Sequence, residues 1–346
     1  MKQTREVQIG NLKIGGGNPI LVQSMCNTDT RDATATIKQI LDLENAGCEI
    51  IRVAVPDMTA AKAIKDIKKN IHIPLVADIH FDYQLALESI KNGVDKVRIN
   101  PGNIGKIENV QKVVDACKDK KIPIRIGINT GSLEKAAETK YGRTAQAMVE
   151  SALSHIKILE KLSFYNIVIS LKASDIQRTV EAYRLLSQKV DYPLHLGITE
   201  AGTLNTGTVK SSVGLGIMLF EGLGDTIRVS LTGDPLEEVR VGWEILKSLK
   251  LRSRGVNLIS CPTCGRTEID LIGLANQVEK ALLSVNKPIT VAVMGCVVNG
   301  PGEAKEADIG VAGGRHQGVI FKKGQILKTV PEGQILTQLL SEIDKL

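Results

Sequence analysis

Short apolar runs alternate with longer amphipathic segments through most of the chain. The apolar runs are rich in Val and Ile, and each has the length of a buried β-strand. They begin near Leu21, Ile50, Leu75, Lys96, Ile124, Ile167, Leu194 and Ile227. Eight such runs within about 250 residues, each followed by a helix-length segment, are typical of a (β/α)8 TIM barrel. A doubly wound open sheet is the alternative, but it usually has a Gly-rich phosphate turn after its first strand, and residues 24–28 are not such a turn.

The segments between the runs place apolar residues every three or four positions, as helices that pack on one face do. They predict helices over residues 33–46, 58–70, 82–92, 106–120, 144–161, 174–189, 209–220 and 235–249. Between the fifth and sixth runs, residues 130–143 form an insertion longer than an ordinary barrel loop. The apolar faces of these segments therefore indicate helices packed on a barrel, and the insertion indicates one extended loop.

A polar segment that ends at Gly255 follows the last of these helices and suits a linker. The 346 residues exceed the length at which a single core usually stops growing. We therefore predict a barrel over residues 1–254 and a smaller α+β domain over residues 255–346. In the second domain the pattern predicts strands at Val256–Ser260, Ile289–Met294, Asp308–Val311, Val319–Phe321 and Ile326–Val330, with helices over 267–285 and 332–345.

The formal net charge of +6 favours an anionic partner, and the charge is spread along the chain without forming a basic tail. Only 3% of the residues are aromatic, so platforms for stacking bases are scarce, which argues against single-stranded nucleic acid as a ligand. The hypothesis of a non-catalytic RNA-binding protein would rest on the basic net charge alone. No signal-like segment and no membrane-length apolar run is present, and we expect a cytoplasmic protein that does not contact a membrane.

Polar residues are concentrated where the predicted strands end. The cations there, which come from five different strands, are Arg52, Arg98, Arg125, Lys172 and Arg228. The other polar residues at these ends are Asp78, His80, Asn100, Asn129, His195, Glu200 and Ser230. The carboxyl ends of barrel strands face one crevice, and so many cations there would repel one another without a polyanion. Because an arginine guanidinium can donate two parallel hydrogen bonds to phosphate oxygens, we infer a diphosphate ligand.

Three cysteines of the second domain stand in turn sequences. Cys261-Pro-Thr-Cys264 precedes a predicted helix, and Cys296 leaves a strand into a Gly-rich turn that contains Glu303. A C-x-x-C pair ahead of a helix favours thiolates and metal ligation. Zinc, with His316 as a fourth ligand, a redox dithiol and buried structural cysteines are the alternatives. A zinc-stabilised barrel could act as an aldolase on a phosphorylated sugar, with Lys172 as the Schiff-base amine.

Several motifs together resemble one family. They are Cys-Pro-Thr-Cys-Gly-Arg from Cys261, Met-Gly-Cys-Val-Val-Asn-Gly-Pro-Gly-Glu-Ala from Met294, Gln-Ile-Gly-Asn from Gln8 and Gln-Ser-Met-Cys-Asn-Thr from Gln23. The sequence is similar over essentially its full length to the 4-hydroxy-3-methylbut-2-enyl diphosphate synthases, the reductases of the non-mevalonate isoprenoid pathway. The resemblance implies an oxidoreductase that opens the ring of 2-C-methyl-D-erythritol 2,4-cyclodiphosphate and removes a hydroxyl group.

The same resemblance implies a cofactor, a substrate site and partners. A 4Fe-4S cluster would be held by Cys261, Cys264, Cys296 and Glu303, with Glu303 as the exchangeable ligand and Glu200 acting close to the reacting carbon. The residues implied to bind the cyclic diphosphate are Arg52, Arg98, Asn100, Arg125, Asn129, Lys172, His195, Arg228 and Ser230. No dinucleotide fingerprint is present, so electrons are expected from a ferredoxin or flavodoxin. A homodimer with a cross-chain active site is also expected.

Overall fold

The computed structural model describes residues 3–283, 285–296 and 304–346. The chain divides into two compact units, Met1–Arg252 and Ser253–Leu346. The boundary expected from sequence was after residue 254. Each unit has its own apolar core.

The first unit contains a closed ring of parallel strands. In the described part of the chain they are β3 (Leu21–Met25), β4 (Ile50–Ala54), β5 (Leu75–Asp78), β6 (Lys96–Ile99), β7 (Ile124–Asn129), β8 (Ile167–Lys172), β9 (His195–Leu196) and β10 (Thr226–Ile227). Neighbours in sequence pair in parallel from β3 to β8, β10 pairs with both β9 and β3, and a bridge between Ile169 and Leu194 joins β8 to the start of β9. The predicted TIM barrel is confirmed.

Helices follow the strands and cover the outside of the barrel. They are α1 (Ala33–Asn45), α2 (Met58–Lys69), α3 (Tyr83–Lys91), α4 (Ile107–Lys120), α5 (Lys135–Tyr141), α6 (Ala145–Lys161), α7 (Ile176–Ser187), α8 (Leu204–Phe220) and α9 (Pro235–Ser248). Several begin where a side chain accepts a first-turn backbone N–H, as Asp32 does at α1 and Asp175 at α7. The insertion between β7 and α6 contains a 3-10 turn, Thr130–Ser132, and α5.

An antiparallel hairpin, β1 (Val7–Ile9) and β2 (Leu12–Ile14), precedes the barrel and was not predicted. Its turn uses Gly10 at a φ of 55°, a conformation that favours glycine. The hairpin and the amino-terminal parts of four barrel strands share an apolar cluster of Val7, Ile9, Ile14, Leu21, Ile50, Val76 and Val168. Apolar side chains of the hairpin thus pack against the amino-terminal end of the barrel.

The second unit is an α+β domain with a five-stranded sheet in the described residues. Its elements are β11 (Asn257–Ser260), α10 (Leu271–Leu282), β12 (Thr290–Met294), β13 (Ile309–Gly314), β14 (Gln317–Lys322), β15 (Gln325–Pro331), a 3-10 turn Glu332–Gln334 and α11 (Ile335–Asp344). Strands β11 to β13 run parallel, and β14 and β15 continue the sheet antiparallel. The carboxyl ends of β11 and β12 therefore lie side by side.

Candidate active site

Several of the predicted cations lie side by side on neighbouring strands of the barrel. Strand pairing aligns Arg98 on β6 directly with Arg125 on β7, and Asn129 with Lys172 on β8. Arg98, Arg125 and Lys172 are buried, with 6%, 1% and 7% of their surface exposed. Buried cations that lie this close together raise one another's energy unless anions compensate them.

The first compensating group is Asp78, at the end of β5. Its carboxylate lies 3.1 Å from Arg98 Nη1 and 3.7 Å from Arg52 Nε. Burial by itself favours the neutral acid, but the charge of Arg52, a hydrogen bond from His80 and the charge of Arg98 outweigh it, and the pKa of Asp78 is lowered far below its usual range. Asp78 therefore stays ionised and shares its charge between two arginines.

The second compensating group is Glu238, in the first turn of α9, which sequence reasoning missed. Its carboxylate accepts hydrogen bonds from Arg228 Nε at 3.2 Å and Nη2 at 3.1 Å, and from Ser24 Oγ at 2.9 Å. It also accepts the backbone N–H of Leu231. Glu238 fixes the orientation of the Arg228 guanidinium by this paired contact.

Met25, at the end of β3, is a further group that sequence reasoning missed. Its Sδ atom lies 3.0 Å from Arg52 Nε, 2.8 Å from Arg52 Nη2 and 3.7 Å from Arg228 Nη1. A thioether is only a weak acceptor. Both guanidinium groups thus also direct an N–H toward one neutral sulfur, which adds no negative charge to that of Asp78 and Glu238. Burial lowers the pKa of Arg52 to about 10, with the neighbouring arginines adding to the shift.

Lys172 belongs to a hydrogen-bonded chain within the barrel. Its Nζ lies 3.2 Å from His195 Nε2, and His195 Nδ1 lies 2.8 Å from Thr226 Oγ1. Burial, followed by the charge of Lys172, lowers the pKa of His195 well below its ordinary value, so the imidazole is neutral. Burial, followed by the charge of Arg125, also lowers the pKa of Lys172. A neutral His195 can accept a hydrogen bond from the lysine through Nε2 while Nδ1–H faces the threonine.

Two glycines give these cations their space. A Cβ atom on Gly127 of β7 would lie 2.6 Å from Arg98 Nε, and one on Gly197 would lie 2.6 Å from Lys172 Nζ. The Arg98 side chain also donates to the Gly127 carbonyl at 3.0 Å. Close approach of long basic side chains to the backbone is what these glycines permit.

The other predicted residues occupy more varied positions. Asn100 is buried and its Oδ1 accepts the backbone N–H of Gly127 at 3.0 Å. Asn129 is half-buried and caps the 3-10 turn that follows β7. Ser230 is half-buried after β10, and Glu200 is exposed in the loop after β9 at a φ of 54°. These four surround the strand ends, and their roles stay predictions.

The cysteines of the second unit follow its parallel strands. Cys261 comes directly after β11, and its Sγ accepts the backbone N–H of Gly295 at 3.2 Å, in the turn that leads to Cys296. Cys264 is exposed, and the backbone N–H of Arg266 lowers the pKa of its thiol. Within the described residues no three His, Cys, Asp or Glu side chains are arranged to hold a metal ion. The predicted ligand Glu303 lies outside the described residues.

The fold and these side chains define a TIM-barrel protein with a cationic mouth and a second domain that carries thiols at its strand ends. The chain belongs to the GcpE family: the GcpE TIM-barrel domain matches residues 4–243, and the GcpE protein C-terminal domain matches residues 257–345. The predicted family resemblance is thereby confirmed.

Close relatives match along the whole chain. A protein of Caldanaerobacter subterraneus subsp. tengcongensis named 4-hydroxy-3-methylbut-2-en-1-yl diphosphate synthase (flavodoxin) is 66% identical over 100% of this chain and 98% of its own length. A protein of Geobacter sulfurreducens with the same name is 60% identical over 99% of this chain and 98% of its own. Among solved structures, the dihydropteroate synthase of Yersinia pestis covers 71% of this chain and 98% of its own with a TM-score of 0.51 at 12% identity, which shows the barrel fold alone.

None of the helices in the described residues is both long enough and apolar enough to cross a membrane.

Proposed function

We propose that this protein reduces 2-C-methyl-D-erythritol 2,4-cyclodiphosphate to 4-hydroxy-3-methylbut-2-enyl diphosphate, consuming two electrons and releasing water. The observation that carries the proposal is similarity along the whole chain to relatives with that product in their name. The barrel mouth gives independent physical support, because its buried cations outnumber the nearby carboxylates, Asp78 and Glu238, in the described residues. A diphosphate supplies the missing negative charge.

The side chains of the mouth have separate tasks in this proposal. The residues that bind and orient the cyclic diphosphate are Arg52, Arg98, Asn100, Arg125, Asn129, Lys172, His195, Arg228 and Ser230. Asp78 and Glu238 hold the arginines in place by the contacts described above. Glu200, in the exposed loop after β9, acts near the reacting carbon as a charge stabiliser or proton donor.

The proposed cofactor is a 4Fe-4S cluster held by Cys261, Cys264, Cys296 and Glu303. The donor set fits it: thiolates are the usual ligands of such clusters, the pKa of the Cys264 thiol is lowered by the backbone N–H of Arg266, and the backbone N–H of Gly295 donates to the Cys261 sulfur. When bound, a cluster of this kind supplies electrons and a Lewis-acidic iron. The zinc-dependent aldolase alternative is not favoured, since the relatives are named as synthases of the allylic diphosphate.

Flavodoxin is the proposed electron donor, because the names of the relatives specify it. We also propose a homodimer in which the thiol-bearing unit of one chain serves the barrel mouth of the other. The proposed compartment is the cytoplasm, whose reducing conditions keep thiols such as Cys261 and Cys264 free.

The test is an anaerobic assay of the full chain after reconstitution with iron and sulfide. With reduced flavodoxin, the wild type should convert the cyclic diphosphate to the allylic diphosphate in a ratio of one product to two electrons. Cys264→Ser should lose bound iron and sulfide together with turnover, since two thiolates hold a cluster poorly. Cys117→Ala, in the barrel core at α4, is the matched control and should keep both.

Colourless protein that binds zinc, or full cluster content in Cys264→Ser, would contradict the cofactor assignment. Brown protein that binds iron but does not convert the cyclic diphosphate would contradict the reaction.

A further inference from the structure

Lys96 is a buried cation that the proposed substrate site does not use. It begins β6 and lies on the same strand alternation as Arg98 and Asn100, so its side chain enters the barrel one step deeper than theirs. Its exposed fraction is 0%, and its Nζ has no hydrogen-bond partner in the part of the chain that the structure describes. The side-chain amide of Gln23 and the Nε and Nη1 atoms of Arg125 also have no hydrogen-bond partner among the described residues.

An isolated ammonium group in such surroundings is costly. Burial, followed by the charges of Arg125 and Arg52, lowers the pKa of Lys96 well below its ordinary value. The charged or titratable groups that neighbouring elements direct into the barrel are Arg52 from β4, Asp78 from β5, Arg98 from β6, Arg125 from β7, Lys172 from β8, His195 from β9, Arg228 from β10 and Glu238 from α9.

Crowded cations relieve their repulsion by giving up protons, and the residue type decides which of them does so. A guanidinium group has an ordinary pKa above about 12 and keeps its proton, whereas a lysine amine yields its proton readily when buried. Burial and the neighbouring arginines therefore favour the neutral amine of Lys96 when only the protein's own charges act on it. Negative charge that enters the mouth raises the pKa of the Lys96 amine, because it offsets the electric field of the arginines.

We propose that Lys96 is a reserve cation of the anion site, which takes up a proton when a diphosphate binds in the barrel mouth and releases it when the diphosphate leaves. The proposal rests on the proposed function, which supplies the diphosphate. It requires no contact between Lys96 and the ligand, because the effect acts through the electric field in the buried interior of the barrel. Binding then consumes a proton, so affinity rises as pH falls between the pKa of Lys96 without ligand and its pKa with ligand.

A purely structural role for Lys96 predicts something different. An unpartnered amine contributes no hydrogen bond, and Met fills nearly the same volume without a charge to bury. Lys96→Met should therefore fold with a Tm at least as high as that of the wild type. A structural role would lower the Tm and leave proton uptake unchanged.

The experiment is calorimetric titration of the full chain with 2-C-methyl-D-erythritol 2,4-cyclodiphosphate, without a reductant, at pH 7.5 in Hepes and in Tris. The dependence of the observed enthalpy on the ionisation enthalpy of the buffer gives the number of protons taken up. We expect the wild type to take up more protons than Lys96→Met, by up to about one per site, and its Kd to rise faster with pH, by up to about tenfold per pH unit. The difference isolates Lys96 from Lys172 and His195, which can also titrate.

Lys91→Met is the matched control, because Lys91 is an exposed lysine of α3 with 76% of its side chain accessible. It should take up as many protons as the wild type. If Lys96→Met does not fold, the uncharged Lys96→Gln replaces it, with the same expectation. Equal proton uptake in wild type and variant overturns the inference, whereas failure of the wild type to bind the cyclic diphosphate contradicts the proposed function instead.

Discussion

Single residues at the barrel mouth show what a sequence pattern can and cannot reveal. Arg98 and Arg125 could be predicted because strand alternation fixes which side chains of a strand point into a barrel. Glu238 could not. It follows Glu237 in an acidic first helical turn, and only packing decides that Glu238 is 4% exposed and paired with Arg228 while Glu237 contacts Arg240.

Arg228 allows a direct test of the anion site at the scale of one side chain. Arg228→Met should weaken binding of the cyclic diphosphate by about one to two orders of magnitude, the usual effect of losing a charge-assisted hydrogen bond of roughly 1.5 to 3 kcal/mol. Iron and sulfide content should not change, because the barrel holds none of the proposed cluster ligands. Equilibrium titration and iron analysis measure the two effects.

Arg240→Met is the control for this substitution. Arg240 lies on α9 with 40% of its side chain exposed, and it pairs with Glu237. Its loss should leave the Kd within twofold of the wild type, since surface ion pairs contribute roughly 0 to 1 kcal/mol. An unchanged Kd in Arg228→Met would remove Arg228 from the set of ligands.

At the scale of elements, the barrel strands were predicted nearly to the residue, and the exceptions have physical causes. The strands of the unpredicted hairpin, such as Val7–Ile9, have only three residues each and give too short a periodic signal. Helix α8 starts at Leu204 and not at the predicted residue 209. It is apolar on most sides, with Val209 and Phe220 exposed while Leu215 and Met218 are buried, so no single stripe marks its beginning.

Strand β7 offers a test of how an element makes room for the site. Gly127→Ala places a methyl group 2.6 Å from Arg98 Nε, and the guanidinium must leave Asp78 or the strand must shift. We expect a stability loss of about 1 to 3 kcal/mol, as for other overpacked positions, together with weaker diphosphate binding. Thermal unfolding and equilibrium titration check both effects.

Gly216→Ala is the matched control, because Gly216 lies in α8 and a Cβ there would meet nothing within 4 Å. Alanine is a better helix former than glycine, so this variant should be more stable by about 0.4 to 1 kcal/mol, with unchanged binding. If Gly127→Ala binds the cyclic diphosphate as tightly as Gly216→Ala does, the space beside Arg98 does not matter for the anion site.

At the scale of the whole molecule, two compact units divide the proposed chemistry between them. The cations of the barrel mouth lie in Met1–Arg252, and the three cysteines proposed as cluster ligands lie in Ser253–Leu346. The sequence predicted this separation because each motif falls within one periodic pattern. It could not place a cluster beside a substrate, since a periodic pattern carries no information on how two units are arranged.

The proposed cross-chain site is motivated by connectivity and gives the last prediction. Helix α9 returns from the barrel mouth to the opposite end of the barrel before the chain continues through a short segment to β11. A homodimer with two-fold symmetry would supply each mouth with the cysteines of the partner and would form two equivalent sites. Cys264→Ser and Arg125→Met should each be inactive alone, the first through its cluster and the second through its anion site.

Mixed under conditions that allow chains to exchange, the two inactive variants should recover about a quarter of the wild-type activity, because half of the dimers are then mixed and each mixed dimer contains one intact composite site. Mass measurement of the mixture verifies that mixed dimers form, and the anaerobic flavodoxin assay measures the recovery. Wild-type chains mixed with the double variant Cys264→Ser/Arg125→Met provide the control, since each mixed dimer then has only defective cross-chain sites. Mixed dimers of the two single variants that stay inactive would show that each barrel uses the cysteines of its own chain.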